Sequence, residues 1–191
     1  MIHIRPAGAA DGLAIAQIRA ESWRVAYAGV LPAETLAELT APAAVAQEAE
    51  WRSAHPMDGV LIAEAAGESG EVGAEQEAGG LIGFAAFGPE RGEDDEPGWP
   101  GPQPPEHGRA ELYAIYVVPG HWSAGAGRAL MDGVLALVAS SGYTDISLWV
   151  MEANERARRF YELAGFRVTG ESAVLDRLAG VTQIRYRRLV G

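Results

Sequence analysis

The chain has 191 residues, 48% of them hydrophobic and 8% aromatic, which is the size and composition of one globular domain with a sizeable core. Its formal net charge of −11 argues against nucleic acid as the main partner, because a phosphate backbone attracts a basic surface. The sequence has neither cysteine nor lysine, which excludes disulfides, thiol nucleophiles, lysine Schiff bases and the phosphate-binding loop that ends in Gly-Lys-Ser/Thr.

The hydrophobic pattern of the first half predicts a strand, three helices and two strands. The strand covers 3–5, and the helix that follows, over 11–27, would bury the apolar stripe Leu13, Ala16, Ala20, Trp23 and Tyr27. Two further helices, over 32–39 and 42–53, each open on a proline, a residue suited to the first helical turn. Strands over 60–63 and 80–87 flank a glycine- and glutamate-rich turn at 66–78.

The second half begins with a loop over 89–108 that holds six of the eleven prolines and has no periodicity. Beyond it we predict strands over 111–118, 145–150, 166–171 and 183–190, and helices over 123–141 and 154–164. This order indicates an α/β fold, with a mixed sheet flanked by helices in a single domain over 1–191.

The negative charge is concentrated in one region of the chain. Eleven of the 26 acids but only one of the 15 bases lie between Glu64 and Glu106. A charge run of this kind is usually a solvated face, but it can also attract a cationic ligand.

Several classes of protein find no support. The most apolar helical run, 129–139, is short and contains Asp132, so we expect no membrane span, and the first residues have no apolar export segment. We therefore expect a cytoplasmic protein. There is no Gly-x-Ser-x-Gly and no His-Glu-x-x-His, and the four histidines are scattered, so we expect neither a serine hydrolase nor a metal site.

The most informative segment is the strand and turn from Glu111 to Arg128. Glycines at the entry to a helix let several backbone amides point at one ligand, and the helix N-terminus adds partial positive charge, which suits a pyrophosphate. Gly125 and Gly127 could instead serve only a tight helix start. A dinucleotide-binding motif is a weaker interpretation, since its first glycine should follow the strand directly.

These residues resemble the coenzyme-binding motif of the GNAT family of N-acetyltransferases, Gln/Arg-x-x-Gly-x-Gly/Ala after a strand ending in Val-x-Pro. Val117-Val118-Pro119 and Gly125-Ala126-Gly127 match it, whereas Trp122 stands where the family has Gln or Arg. A second family motif resembles Leu148-Trp149-Val150-Met151-Glu152-x-Asn154-x-x-Ala157-x-x-Phe160-Tyr161-x-x-x-Gly165-Phe166. Ser22-Trp23-Arg24-x-Ala26-Tyr27-x-Gly29-x-Leu31-Pro32 resembles one bacterial branch of the family.

The resemblance covers nearly the whole chain and implies a mixed sheet of about seven strands with about four or five helices. It implies acetyl-CoA as co-substrate. Val117 and Val118 would pair their backbone with the pantetheine arm, and Asn154 would bind the coenzyme near its thiol end. The pyrophosphate would lie against the turn formed by Trp122, Ser123, Ala124, Gly125, Ala126, Gly127 and Arg128.

The resemblance also implies catalytic roles. Tyr161 would protonate the departing thiolate, since a phenol with a pKa of about 10 can share a proton with a thiol of about 8.5. Glu111 would take the proton of the acceptor amine, and the Ile115 amide would polarise the thioester carbonyl. From the residues alone, Tyr161 could be a core aromatic and Glu111 a strand-edge carboxylate paired with Arg109.

The predicted function is transfer of an acetyl group from acetyl-CoA to a primary amine of a small molecule or peptide, by direct attack in a ternary complex. Trp23 and Tyr27 would contact the acceptor, and the acidic cluster Glu93-Asp94-Asp95-Glu96 together with Trp99 suggests a cationic one. The alternatives are a non-catalytic acetyl-CoA-binding or regulatory module, and an acyltransferase that uses a longer acyl-CoA. A homodimer is left open.

Overall fold

The computed structural model describes residues 1–55, 57–65, 80–92 and 108–190. Seven strands form one sheet in the order β1-β2-β3-β4-β5-β7-β6. The strands are β1 (Ile2–Pro6), β2 (Val60–Ala65), β3 (Leu81–Pro89), β4 (Arg109–Val117), β5 (Asp145–Met151), β6 (Arg167–Leu175) and β7 (Val181–Leu189). The helices are α1 (Gly12–Ala26), α2 (Ala33–Leu39), α3 (Pro42–Ala54), α4 (Ala126–Ser140) and α5 (Glu155–Leu163). The predicted mixed α/β fold is confirmed.

Some predicted segments fall outside this description. The turn at 66–78 and the part of the acidic loop over 93–107, including the Glu93–Glu96 cluster and Trp99, lie outside the described residues. Within the described ranges, no helix is both long and apolar enough to cross a membrane.

The sheet is covered on both faces. The larger core cluster lies on the side of α4 and α5, where Leu130, Val134 and Phe166 are fully buried. A second cluster lies under α1, around Ile15 and Ile18.

The predicted apolar stripe of α1 is partly wrong. Leu13 is 53% exposed, whereas Ile15, Ile18 and Ser22 are buried. The helix packs against the sheet and also against α3, so its buried surface is wider than one stripe and is rotated away from Leu13.

A β-bulge interrupts the pairing of β3 with β4. Ala86 pairs with Ala114 but the next residue, Phe87, pairs with Leu112, so Tyr113 is an extra residue on β4. Such bulges re-aim the side chains that follow them. Here Leu112 packs in the α4-side cluster, while Ala114 and Tyr116 pack in the α1-side cluster.

Candidate active site

A groove of about 1300 Å³ opens where β4 and β5 stop pairing. The two strands are parallel and pair only from Arg109 with Asp145 to Leu112 with Leu148. The groove is walled by the later part of β4, the end of β5, the C-terminal part of α1, the first turn of α4, helix α5 and parts of β6 and β7. Twelve predicted site residues line it: Trp23, Tyr27, Glu111, Ile115, Val117, Trp122, Ser123, Gly125, Gly127, Arg128, Asn154 and Tyr161.

The turn before α4 has left-handed backbone at two positions. Ser123 has φ 64° and Gly125, the N-cap of the helix, has φ 95°. The helix therefore begins at Ala126, and the predicted start at position 123 is wrong, because neither conformation fits a right-handed helix. The first amides of α4 have no carbonyl within the helix to bond, so this end of the groove offers N–H donors.

The backbone of β4 faces the groove at alternate residues beyond the bulge. The amide of Val118 donates to the Ile82 carbonyl at 2.9 Å, and the Val118 carbonyl accepts from the His121 amide at 2.9 Å. Because successive peptide groups point to opposite edges of a strand, Val117 and Ile115 turn theirs towards the groove. The backbone pairing expected of Val118 is therefore not available in this arrangement, whereas the amide of Val117 faces the groove.

The Val117 carbonyl already has two side-chain donors. Trp122 Nε1 donates to it at 2.6 Å, and Ser22 Oγ of α1 donates at 3.1 Å. Trp122 thus lies against the wall of the groove, at the position where the family motif has Gln or Arg.

Asn154 is the N-cap of α5. Its side-chain oxygen accepts a hydrogen bond from the Ala157 amide at 3.1 Å, which satisfies one of the free donors of the first turn. Its side chain also forms a hydrogen bond with the Tyr27 hydroxyl of the α1 wall, so Asn154 links the first turn of α5 to the groove residues of α1.

Tyr161 projects from the last turn of α5 and is 8% exposed. Its ring lies edge-on to Phe160, with centroids 5.4 Å apart, and to Phe166 at 6.0 Å. Burial, and next the nearby phenol of Tyr116, raise the pKa of the Tyr161 hydroxyl above its usual value. The hydroxyl therefore carries its proton at neutral pH, as a general acid must.

Glu111 is 3% exposed and is paired with an arginine that the sequence did not indicate. Arg91 donates to both of its oxygens, through the backbone amide at 3.1 Å and through Nη2 at 2.5 Å. The alternative interpretation, a pairing of Glu111 with Arg109, is wrong, since Arg109 lies 3.7 Å from Glu90 instead. Each carboxylate oxygen keeps a further lone pair, so the group can still accept a proton.

Trp23 and Tyr27 form the α1 wall of the groove. Their rings meet edge-on at 5.0 Å, and burial followed by the neighbouring Tyr116 raises the pKa of Tyr27. The guanidinium of Arg19 lies 5.0 Å from the centre of the Trp23 ring, so one aromatic face there is already covered by a cation.

Arginines outnumber glutamates in the lining of the groove, although the chain is acidic. Its charged lining consists of two glutamates and six arginines: Glu111, Glu171, Arg91, Arg128, Arg156, Arg159, Arg177 and Arg185. Such a lining suits a ligand that carries phosphates. Among the residues described, no three His, Asp or Glu side chains are arranged to hold a metal ion.

Three predicted residues do not line the groove. Val118 bonds within the protein, the Ala124 amide donates to the His121 carbonyl at 3.4 Å, and Ala126 is completely buried beneath the turn. Ser22, Arg91, Tyr116 and Arg156 line the groove but were not assigned a role from the sequence. Ser22 belongs to the N-terminal motif, yet its contact with Val117 joins residues 95 positions apart, which no local pattern reveals.

Comparison with known proteins identifies the family to which this chain belongs. The model of the acetyltransferase (GNAT) family matches residues 30–166. The uncharacterized N-acetyltransferase YuaI of Bacillus subtilis is 31% identical over 154 residues, which cover 81% of this chain and 74% of that protein.

Solved structures share the fold. The PaiA N-acetyltransferase of Thermoplasma acidophilum, solved with coenzyme A, superposes with a TM-score of 0.60 at 21% identity, over 97% of this chain and 98% of that one. The yncA protein of Salmonella typhimurium, solved with acetyl-CoA, gives 0.65 at 19% identity, over 100% and 95%. The chain therefore belongs to the GNAT family and is an acyl-CoA-dependent N-acyltransferase.

Proposed function

We propose that residues 1–191 form one N-acetyltransferase domain that moves the acetyl group of acetyl-CoA to a primary amine of a small molecule or peptide. The observation that carries this proposal is the groove itself. It joins the amide-rich turn before α4 to the buried phenol of Tyr161, along the strand edge that Val117 and Ile115 leave open. Solved relatives of the same fold hold coenzyme A or acetyl-CoA, which supports the choice of co-substrate.

The proposed reaction is direct attack in a ternary complex. The amine nitrogen bonds to the thioester carbon, the carbonyl oxygen gains charge beside the Ile115 amide, and the carbon–sulfur bond then breaks. Tyr161 gives its proton to the departing thiolate, and Glu111 takes the proton that the amine loses, directly or through water. A covalent acyl-cysteine has no part, because the chain has no cysteine.

The nature of the acceptor stays a prediction. A cationic acceptor was suggested by the acidic cluster at 93–96, which lies outside the described residues. The α1 wall at Trp23 and Tyr27 is the proposed contact surface for the acceptor. The cytoplasmic location and a homodimer likewise remain predictions.

Two measurements test the proposal. Acetyl-CoA should raise the melting temperature, because only the folded chain assembles the binding groove, and free CoA should then be released in the presence of a panel of primary amines. No thermal shift at millimolar acetyl-CoA would contradict coenzyme binding. Binding without thiol release from any amine would favour the non-catalytic alternative, and a larger rate with succinyl-CoA would favour a longer acyl donor.

A further inference from the structure

The first turn of α5 places an arginine across the groove from Trp122. The guanidinium carbon of Arg156 lies 4.2 Å from the centre of the indole ring, and its Nη2 is 3.5 Å from Ser123 Oγ. The ring itself is held by the hydrogen bond from Nε1 to the Val117 carbonyl. A flexible, exposed side chain is thereby held over a fixed aromatic surface, next to the amides of the α4 turn.

Arg156 has no ion pair in the part of the chain that the structure describes. Within the described ranges, no carboxylate lies within ion-pairing distance of Arg156, whereas Arg128 at the same end of the groove lies 3.7 Å from Asp132. Arg158, two positions further along α5, bonds to the Glu152 carbonyl and the Tyr186 hydroxyl and does not line the groove. Arg156 therefore keeps a guanidinium that can bind a ligand, in a position that is restrained beforehand.

The residue at position 122 leaves the phosphate-binding turn without a side-chain donor. An indole has one N–H donor, and that of Trp122 is already bonded to Val117, so it can give a phosphate no hydrogen bond. We propose that Arg156 takes the place of the missing side chain at position 122 and binds the pyrophosphate of the coenzyme, with the Trp122 ring as its support. This inference rests on the proposed use of acetyl-CoA. Arginine suits the role because its planar fork matches two phosphate oxygens at once.

The inference is tested by binding, which needs no knowledge of the acceptor. Arg156→Gln should weaken acetyl-CoA binding in calorimetric titration by about 10- to 100-fold, as expected for loss of a hydrogen bond to a charged group. Arg167→Gln is the matched control. It removes the same charge from an exposed side chain that does not line the groove, and we expect a loss of less than about 3-fold. Similar losses in the two variants would overturn the inference.

The coenzyme and the motif provide two further comparisons. With 3′-dephospho-CoA, which keeps the pyrophosphate, Arg156→Gln should cause the same loss, whereas disappearance of that loss would mean that Arg156 binds the 3′-phosphate instead. Trp122→Arg, introduced into the Arg156→Gln variant, should restore most of the affinity, since it returns a cation to the motif position. If the double variant keeps the melting temperature of the parent but does not regain affinity for acetyl-CoA, the proposal that Arg156 replaces a side chain at position 122 is wrong.

The parent protein separates this inference from the proposed function. If the parent does not bind acetyl-CoA, both are wrong. If the parent binds and Arg156→Gln binds equally well, only the role of Arg156 is wrong.

Discussion

Tyr161 lines the groove, with the aromatic rings of Phe160 and Phe166 beside it. Burial disfavours its ionised form, so the pKa rises above the usual value of about 10. The same surroundings that make Tyr161 a well-packed core residue also keep its proton in place. The core and catalytic interpretations of this residue are therefore compatible.

Tyr161→Phe should lower kcat by about 10- to 1000-fold and leave acetyl-CoA affinity nearly unchanged, because the hydroxyl acts mainly on the departing thiolate. Since the folded-state pKa is raised, the parent should keep its phenolic proton up to at least pH 10, and no loss of rate from this ionisation should occur below that. Stopped-flow or steady-state rates measure the change in kcat, and calorimetric titration measures the affinity for acetyl-CoA. An unchanged kcat would leave Tyr161 with a packing role alone.

Glu111 is held by Arg91 from the segment after β3. If Glu111 receives the amine proton, Glu111→Gln should reduce kcat/KM most at low pH and least at high pH, where the amine arrives already deprotonated. Glu171→Gln is a suitable control, because it removes a charge from the same groove at a side chain that is 52% exposed. A loss that is uniform across pH would indicate that Glu111 orders the Arg91 segment instead.

At the scale of elements, β4 carries most of the site. Its bulge at Tyr113 sends Tyr116 to the α1 face, and its separation from β5 beyond Leu112 exposes the edge at Ile115 and Val117. The neighbouring strand β3 must approach closely to hold this edge. A Cβ at Gly83 would lie 2.8 Å from the Tyr116 carbonyl oxygen and 3.1 Å from Val117 Cγ2.

Gly83→Ala should therefore destabilise the fold by about 1–3 kcal/mol, because backbone atoms must move to accept the methyl group. It should also weaken acetyl-CoA binding, since the displaced atoms belong to the groove wall. Gly80→Ala is the control, as a Cβ there meets nothing within 4 Å, and we expect a change within about 0.5 kcal/mol. Urea unfolding measures both variants, and equal effects would contradict close β3–β4 packing as the cause.

At the scale of the whole molecule, charge is unevenly distributed. The chain carries −11, yet the groove is lined by six arginines against two glutamates. The acids are concentrated in the sequence from 64 to 106, which leads into the strand that bears Glu111. An acidic segment that leads into this strand would favour the capture of a cationic acceptor.

Changing Glu93, Asp94, Asp95 and Glu96 to their amides should raise KM for a cationic acceptor and leave kcat nearly unchanged, and added salt should have the same effect on the parent. Changing Glu68, Glu71, Glu75 and Glu77 to Gln alters the net charge equally and is the matched control. If both sets of changes give the same KM, the charge acts without regard to position and the steering proposal fails.

Periodicity predicted nearly every helix and strand, because the alternation of apolar residues reflects which side faces the core. The predicted boundaries of helices and strands were wrong where a residue has a left-handed backbone conformation. Ser123 and Gly125 delay the start of α4, and β6 runs on to Leu175, past the residue 171 expected for its end, with its pairing to β7 shifted around Gly170. These features depend on single residues with left-handed backbone, and the spacing of apolar residues gives no information about the φ angle of one residue.

The sequence by itself determined the family, the mixed sheet and most of the groove residues, because the two motifs are local strings in which spacing along the chain corresponds to position in space. Only the tertiary structure decided which partners these residues have. Glu111 is bonded to Arg91 rather than Arg109, Val117 accepts from Ser22, and Trp122 supports Arg156. The physical reason is that these contacts join separate elements across a groove that exists only once β4 and β5 have separated.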